Sequence, residues 1–219
     1  NTFSRCITAE FMNDVAVLAS EKPDFVFNLV ESINNKGELC YFVPALLNMH
    51  SIPYSGNPLE AIFITTSKAL TTRILNENRI KTPLSFQPSQ CRKMTPGLMY
   101  IIKPVWEDGS QGITHDSVFT FRDDETERLL KYDDSHWIIQ EYIEGREFNI
   151  TVLFSQSGPE VMPPAEMVFH NFGDDMPKIV DFRAKWIEDS FEYVNTVREF
   201  PGENLDPVLA EKIKEAALR

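Results

Sequence analysis

The chain has no long hydrophobic run and no excess of basic residues. No apolar stretch approaches the roughly 20 residues that a membrane-spanning helix requires. Lysine and arginine together number 21, against 33 aspartates and glutamates, so the formal net charge is −12. Because a phosphate backbone requires a basic protein face, this balance argues against DNA or RNA as a partner. We expect neither a nucleic-acid nor a membrane partner, whereas a few lysines gathered in one cleft would still bind a nucleotide.

Cysteine and histidine are also scarce, with three and four residues respectively. Cys6, Cys40 and Cys91 are odd in number and far apart, and none belongs to a Cys-x-x-Cys pair. This usage is typical of reduced thiols, so we expect a cytoplasmic protein. The histidines show no ligand spacing, which argues against a zinc site.

The usual signals at the two ends of a protein are missing as well. Asn1 is not an initiator methionine, and no signal-peptide pattern follows it. Asp206 and Pro207 have the features of a helix N-cap and first turn, and that helix continues to Arg219 without a glycine or proline stop. We therefore expect the sequence to be a portion of a longer polypeptide.

Helices and strands alternate in the first part of the chain. A helical pattern covers about residues 9–20, and residues 37–49 are helical again. Between them, residues 24–30 form a near-continuous apolar run of strand length, which is typical of a buried parallel strand. This alternation predicts part of an α/β domain with a parallel sheet.

The chain beyond residue 82 is rich in strand patterns. A helix capped by Thr66 or Ser67 precedes this region, and a second helix is predicted at about 123–134. The change in pattern predicts two domains that join near residues 56–66. The predicted strands cover residues 83–87, 99–105, 117–121, 137–143, 147–155, 160–169 and 178–186.

Residues 101–113 carry the clearest functional pattern. An apolar strand brings Lys103 to the Gly-Ser-Gln-Gly loop at 109–112. Glycines free the backbone to direct N–H groups at an anion, and a nearby lysine supplies the counter-charge. The pattern indicates a nucleoside triphosphate site, although a hairpin turn rich in glycine and serine has the same composition.

Two later segments complete an ordered set. Residues 137–147 form an apolar strand that runs into the carboxylates Glu141, Glu144 and Glu147, and Asp181–Trp186 follows. With the early segments at 24–31, 52–57 and 66–70, this set resembles the ATP-grasp superfamily and, within it, the D-alanine–D-alanine ligase family. The resemblance implies an α/β (α+β) chain, in which an ATP-grasp fold is preceded by part of a parallel-sheet α/β domain. We assign residues 1–60 to this partial domain and residues 61–219 to the ATP-grasp domain, with a small subdomain at about 82–143 and an incomplete large subdomain at about 144–219.

The resemblance also implies roles for individual residues. Lys68 and Lys103 would contact the α- and β-phosphates of ATP, Lys185 the γ-phosphate and Glu147 the ribose. Lys185 and Ser110 are the catalytic candidates. The flap over the phosphates would be formed by Gly109, Ser110, Gln111 and Gly112, and the hinge beside adenine by Glu141, Tyr142, Ile143 and Glu144.

Ordinary surface roles remain open for several of these residues. Lys68 has the position of an exposed lysine at the start of a helix. Glu144 fits a solvated turn, and Glu147 fits a carboxylate on a surface strand. Lys185 fits an exposed strand face, and the tryptophans fit packing positions.

The activity implied is that of an ATP- and magnesium-dependent carboxylate–amine ligase that works through an acyl phosphate. Its substrates would be a small carboxylate and an amine, both amino acids, and a homodimer is left open. Metal ligands are expected beyond residue 219, so none is named here, and the chain alone is expected to be inactive. Two alternatives remain: a nucleotide-binding relative without ligase activity, and an ATP-grasp kinase.

Some residues depart from the family pattern. D-alanine–D-alanine ligases usually have two adjacent serines in the flap, where this chain has Gly109 and Ser110. They usually follow the lid lysine with tyrosine, where this chain has Trp186. We therefore expect poor coupling of D-alanine.

Overall fold

A computed structural model describes residues 2–219, which form short helices and antiparallel sheets. No helix in this described part is long and apolar enough to cross a membrane. The helices are α1 (Phe11–Ser20), α2 (Phe42–Met49), α3 (Leu59–Thr66), α4 (Lys68–Glu77), α5 (Thr126–Leu129), α6 (Phe182–Trp186), α7 (Phe191–Asn195) and α8 (Pro207–Leu218). The strands are β1 (Ser85–Phe86), β2 (Met99–Pro104), β3 (Val118–Thr120), β4 (Trp137–Glu141), β5 (Glu147–Asn149), β6 (Val152–Ser155), β7 (Gly158–Val161), β8 (Ala165–Phe169) and β9 (Thr196–Glu199).

The N-terminal residues pack around helices α1 and α2. Val15 and Leu18 lie three residues apart, so they share one face of α1, and both are buried. They contact Val43 and Leu47 of α2 in one apolar cluster. The predicted helices at 9–20 and 37–49 are confirmed, although the second begins with a short 3-10 turn at Gly37–Leu39.

The apolar run at 24–30 differs from the buried parallel strand that its composition predicts. Its only ladder contact among the described residues is a single parallel bridge from Val26 to Tyr54. Val26 and Val30 pack against the N-terminal cluster, but Phe27 and Leu29 are 71% and 76% exposed. The prediction of burial on both faces is wrong because the described chain covers only one face.

A four-stranded antiparallel sheet, in the order β1-β4-β2-β3, packs around a second apolar core. Side chains alternate along β2, so Tyr100 and Ile102 point into the core while Ile101 and Lys103 point to the opposite side, which we call the Lys103 face. The core of this sheet is made by Cys91, Met94, Tyr100, Ile102, Phe121, Leu129 and Ile139.

Helix α4 covers one end of the Lys103 face. The hydroxyl of Ser67 accepts a hydrogen bond from the Leu70 amide, which makes Ser67 the N-cap. Gln140 is paired with Ile101 across the sheet and therefore lies on the same face. Its amide donates to the hydroxyls of Thr72 in α4, at 3.2 Å, and Ser85 in β1, at 2.9 Å, and so ties the helix to the sheet.

The region after residue 146 forms two smaller sheets, β5-β8-β9 and the hairpin β6-β7. The predicted strands 147–155 and 160–169 each divide between these sheets. The predicted alternation nevertheless holds, because Phe148 and Ile150 are half-buried while Glu147 and Asn149 are exposed.

The prediction of a strand at 178–186 is wrong, because residues 178–181 form neither strand nor helix and the rest of the segment is helical. Phe182–Trp186 is the short helix α6, because the Asp181 carboxylate accepts a hydrogen bond from the Ala184 amide and caps it. The predicted helix at 123–134 is shorter than expected, with a 3-10 turn and the single α turn of α5. Helix α3 occupies most of the segment predicted to join the two domains.

Candidate functional site

Two lysines from distant parts of the sequence meet at the end of β2. Lys103 lies on the strand, and Lys68 is the first residue of α4. They are brought together because the Lys68 amide donates a hydrogen bond of 3.1 Å to the Val105 carbonyl, just beyond the strand. The positive end of the α4 dipole lies at the same point. The arrangement concentrates positive charge in a protein whose net charge is −12.

The electrostatics of Lys103 are those of a cation without a partner. The side chain is half-buried and forms no hydrogen bond or ion pair with any residue between 2 and 219. Burial is the main cause that lowers its pKa to about 8, and the charge of Lys68 acts in the same direction. Glu147 opposes both effects. A half-buried cation that lacks a protein partner is stabilised when an anion joins it.

Lys68 is held by the loop that follows β2. Its ammonium donates to the Glu107 carbonyl and lies 3.8 Å from the Asp108 carboxylate. Burial lowers the pKa of Lys68, and the charges of Asp108 and Glu107 oppose that shift. The base of the loop therefore provides the oxygen atoms that Lys68 binds.

Glu147 and Lys185 approach from the second half of the chain. Glu147 begins β5 and is open to water, yet nearby protein atoms still desolvate its carboxyl, a combination typical of a concave surface. This desolvation raises the pKa of Glu147, and the positive charges of Lys185 and Lys103 lower it. Glu147 therefore lies within electrostatic reach of both lysines, without forming an ion pair with either.

The predicted flap is folded against α6. Gly109, Ser110 and Gly112 all have positive φ angles, of 63°, 64° and 72°. Gly112 permits close packing, because a Cβ at this position would lie 2.8 Å from a ring carbon of Pro104. The Gln111 side chain is exposed, and its backbone amide donates to the Asp108 carbonyl at 3.2 Å.

The predicted hinge borders a cavity of about 460 Å³. Tyr142 and Glu144 line it, and Met99, which shares the Lys103 face, forms part of its floor. The opposite wall is the segment 173–178, where the Lys178 amide donates to the Tyr142 hydroxyl at 3.0 Å. Burial raises the pKa of the Tyr142 hydroxyl.

The remaining predicted residues lie outside this cavity. Glu141 ends β4, where its amide donates to the Leu84 carbonyl at 2.9 Å, and the Ile143 side chain is 60% exposed. Lys103, Glu147 and Lys185 do not line the cavity, and the link between them is β2, which carries both Met99 and Lys103 on one face. A second groove, of about 650 Å³ between α4 and β1, contains none of the predicted residues.

Two contributors to the site were missed from the sequence. Trp186 was assigned to packing, but its indole N–H donates to the Gly109 carbonyl at 2.8 Å. No local pattern gives that contact, because 77 residues separate the two groups. Asp181 is buried and positions α6, and the signal for it was present as an aspartate directly before helix-forming residues.

The described chain does not contain a ready metal centre. Among residues 2–219, no three histidine, cysteine, aspartate or glutamate side chains lie close enough together to hold a metal ion. The cysteines are free thiols, with Cys40 and Cys91 buried and Cys6 exposed.

Comparison with known protein families identifies the class of this fold and site. A model of the ATP-grasp domain matches residues 65–204, well over half of the chain. The chain therefore belongs to the ATP-grasp domain family. The matched segment contains every residue that the sequence predicted for the site, from Lys68 to Lys185.

Individual relatives point in the same direction. The D-alanine–D-alanine ligase of Marinomonas sp. (strain MWYL1) is 32% identical over 158 residues, which cover 69% of this chain and 47% of that protein. Among solved structures, D-alanyl-alanine synthetase A from Vibrio cholerae superposes with a TM-score of 0.62 at 14% identity, covering 89% of this chain and 57% of that one. The D-alanine–D-alanine ligase from Bacillus anthracis complexed with ATP superposes with a TM-score of 0.59 at 19% identity, covering 94% and 61%.

These comparisons confirm the predicted fold class. The chain spans about half the length of the curated relative described above. The structural likeness, at low sequence identity, establishes the fold alone.

Proposed function

We propose that this chain is the nucleotide-binding part of an ATP-dependent carboxylate–amine ligase. The observation that carries the proposal is the pair Lys68 and Lys103, which the fold places side by side although their charges repel each other. A polyphosphate would relieve that repulsion and replace the oxygen atoms that Lys68 now takes from the loop. The similarity to D-alanine–D-alanine ligases, one of them solved with ATP, supports the choice of nucleotide and of reaction class.

The proposed orientation of ATP follows from the layout of the surface. The triphosphate would lie along Lys103, Lys68 and Lys185, with the flap above it. The ribose hydroxyls would donate to Glu147, whose ionised carboxylate is a strong acceptor. The base would extend toward Tyr142 and the cavity of about 460 Å³, which is large enough for a purine ring.

The reaction would take place in two steps. A carboxylate oxygen of the acid substrate attacks the γ-phosphorus, the bond to the bridging oxygen breaks, and ADP leaves. The amine nitrogen then attacks the carbonyl carbon of the acyl phosphate, inorganic phosphate leaves, and the nitrogen loses a proton. Negative charge grows on the β-phosphate in the first step, so Lys68 and Lys103 would stabilise the transition state.

Magnesium normally accompanies such phosphoryl transfer. The described residues do not fit a metal centre, since no suitable cluster of ligands is present in them. No step of the proposal therefore passes through a metal ion held by residues 2–219.

The proposed substrates are small amino-acid-like molecules, one reacting as the acid and the other as the amine. Gly109 and Trp186 occupy flap and lid positions at which the ligases usually have serine and tyrosine, so D-alanine is not the substrate we favour. A cytoplasmic location, with free thiols, is part of the proposal, and a homodimer is compatible with it.

The test is a screen of the intact protein with ATP and pairs of amino acids and dipeptides. ADP and inorganic phosphate are measured together, and the product is identified by mass spectrometry. We expect phosphate release only when both an acid and an amine are present. Lys185→Ala should abolish it, and Lys131→Ala, at an exposed position away from the site, should not.

Other outcomes would contradict the proposal. A phosphorylated product formed without an amine would indicate a kinase. ATP binding without turnover for any pair would indicate a binding protein. Brisk formation of D-alanyl-D-alanine would contradict the substrate preference alone.

A further inference from the structure

The flap and α6 are joined by three hydrogen bonds that cross between distant segments. The Trp186 indole donates to the Gly109 carbonyl at 2.8 Å, and the Ser110 hydroxyl donates to the Val180 carbonyl at 2.6 Å. The Phe182 amide donates to the Ile113 carbonyl at 3.1 Å. Together they connect both sides of the flap to both ends of the segment that carries Lys185.

The backbone of the flap is shaped for this contact. Gly109 has a φ of 63°, and a Cβ added there would lie 3.5 Å from the six-membered ring of Trp186. That distance is an ordinary van der Waals contact, so what favours glycine at position 109 is the positive φ rather than a lack of space. Ser110 adopts a φ of 64°, which is uncommon for a residue other than glycine, and its buried hydroxyl is the group that donates to Val180.

The other side of the contact is also braced. Asp181 caps α6, and the Arg183 guanidinium donates to the Glu192 carboxylate of α7 at 2.9 Å. The hydroxyl of Ser190 donates to the Arg183 carbonyl at 3.2 Å. Helix α6 therefore has a fixed orientation that the flap can share.

We infer that Trp186 is a positioning residue that holds the flap and α6 together as one moving unit. Because the indole donates to a main-chain carbonyl, the contact does not depend on a side chain at position 109. Lys185 is the residue before Trp186, so the unit carries that lysine wherever the flap moves. A ligand that enters beneath the flap must move the flap and α6 together away from the Lys103 face. Trp186, which joins the two, would therefore affect the rate at which ligand enters and leaves.

The chain offers a matched control in Trp106. Its indole also donates to a main-chain carbonyl at 2.8 Å, that of Ser135, but at the base of the loop and without contacting α6. Trp106→Phe and Trp186→Phe therefore each remove one indole hydrogen bond from the same loop. Only Trp186→Phe should loosen the flap.

The first measurement is amide hydrogen exchange of the intact protein without ligand. In Trp186→Phe the Phe182 amide should exchange about fivefold faster, as expected for the loss of one hydrogen bond that stabilises the closed unit. In Trp106→Phe this rate should be unchanged. Ser110→Ala provides an independent test, since it removes the second hydrogen bond and should accelerate the same amide.

Unchanged exchange at Phe182 in both Trp186→Phe and Ser110→Ala would overturn the inference. Equal acceleration by Trp106→Phe would do the same, because it would indicate general loosening. The rate at the Val105 amide, which donates to His136 at 2.8 Å outside the contact, reports whether a variant has lost its fold.

The second measurement is ATP dissociation by stopped flow, and this part rests on the proposed function. Trp186→Phe should raise the dissociation rate about fivefold, while Trp106→Phe should not. Faster exchange at Phe182 with an unchanged dissociation rate would overturn the control of ligand exchange. A protein that binds no ATP would contradict the proposed function, and the exchange data alone would then decide whether the unit exists.

Discussion

The two parts of the chain that supply the candidate site are packed very differently. The four-stranded sheet that carries Lys103 has a continuous apolar core. Between residues 144 and 199, all of which the structure describes, no large apolar side chain is fully buried, and Phe154 and Val194 are 84% and 63% exposed. Lys103 therefore lies on an element held by a packed core, whereas Glu147 and Lys185 lie on elements held mainly by backbone pairing and a helix cap.

This difference has a functional meaning in the proposed reaction. A rigid platform can keep two repelling lysines together, because its core supplies the free energy that their proximity costs. A lightly packed region can move toward that platform and away from it at little cost. The lysines proposed to bind phosphate and the lysine proposed to move are thus found where the physics of each role would place them.

The largest expected effect concerns stability. Leu129 is fully buried in the core of the four-stranded sheet, so Leu129→Ala should cost about 3 kcal/mol of unfolding free energy. Phe154 is 84% exposed, and Phe154→Ser should change the free energy of unfolding by less than about 0.5 kcal/mol. Urea unfolding of both variants measures the contrast, and similar losses would remove the distinction between the two regions.

Lys103→Met tests the platform directly. It should weaken ATP binding about 50-fold, because a charge-assisted contact to phosphate is lost. It should also raise the melting temperature by about 2 °C, because a half-buried charge next to Lys68 disappears. Calorimetry measures both, with Lys131→Met as the control at an exposed position. A lower melting temperature with normal ATP binding would make Lys103 a structural residue.

Glu147→Gln tests the connection between the two regions. It should weaken ATP binding about tenfold, because the neutral amide is a poorer acceptor for the ribose hydroxyls. Glu160→Gln, on the exposed hairpin, should have no effect. If the variant changed only the Michaelis constant of the amino-acid substrate, the placement of Glu147 at the ribose would be incorrect.

The smallest expected effect is the pH dependence of ATP binding. The pKa of Lys103 is about 8 in the free protein, and bound phosphates would raise it, so binding takes up a proton above that pH. The affinity should therefore fall about fivefold from pH 8 to pH 9. The lowered pKa of Lys68 acts in the same direction.

Two variants isolate this dependence. In Lys103→Arg the guanidinium stays charged, so the decrease in ATP affinity from pH 8 to pH 9 should largely vanish. In Glu147→Gln the pKa of Lys103 should drop further, because the negative charge of Glu147 raises it. The affinity for ATP should then begin to fall at a lower pH. A fall in Lys103→Arg as steep as in the original protein would remove Lys103 from the binding site.

Several elements of the fold and site could be predicted from local sequence patterns. The strand before Lys103, the cap of α4 and the helix at Pro207 depend on residues close in sequence, and each is confirmed. The strand prediction at 178–186 is wrong because an alternating pattern over a few residues does not distinguish a strand from an irregular segment followed by one turn of a capped helix. The burial predicted for Phe27 and Leu29 is wrong because apolar composition cannot say whether a covering layer is present.

The sequence by itself determined which residues carry charge, where the glycine loop falls and where the longer helices and the strands of the four-stranded sheet form. Only the tertiary structure decided that Lys68 lies beside Lys103, that Glu147 opposes their charge, and that Trp186 donates to the flap. Those facts depend on contacts between residues dozens of positions apart. Local propensities do not encode such distances, because they are set when sheets and helices pack against one another.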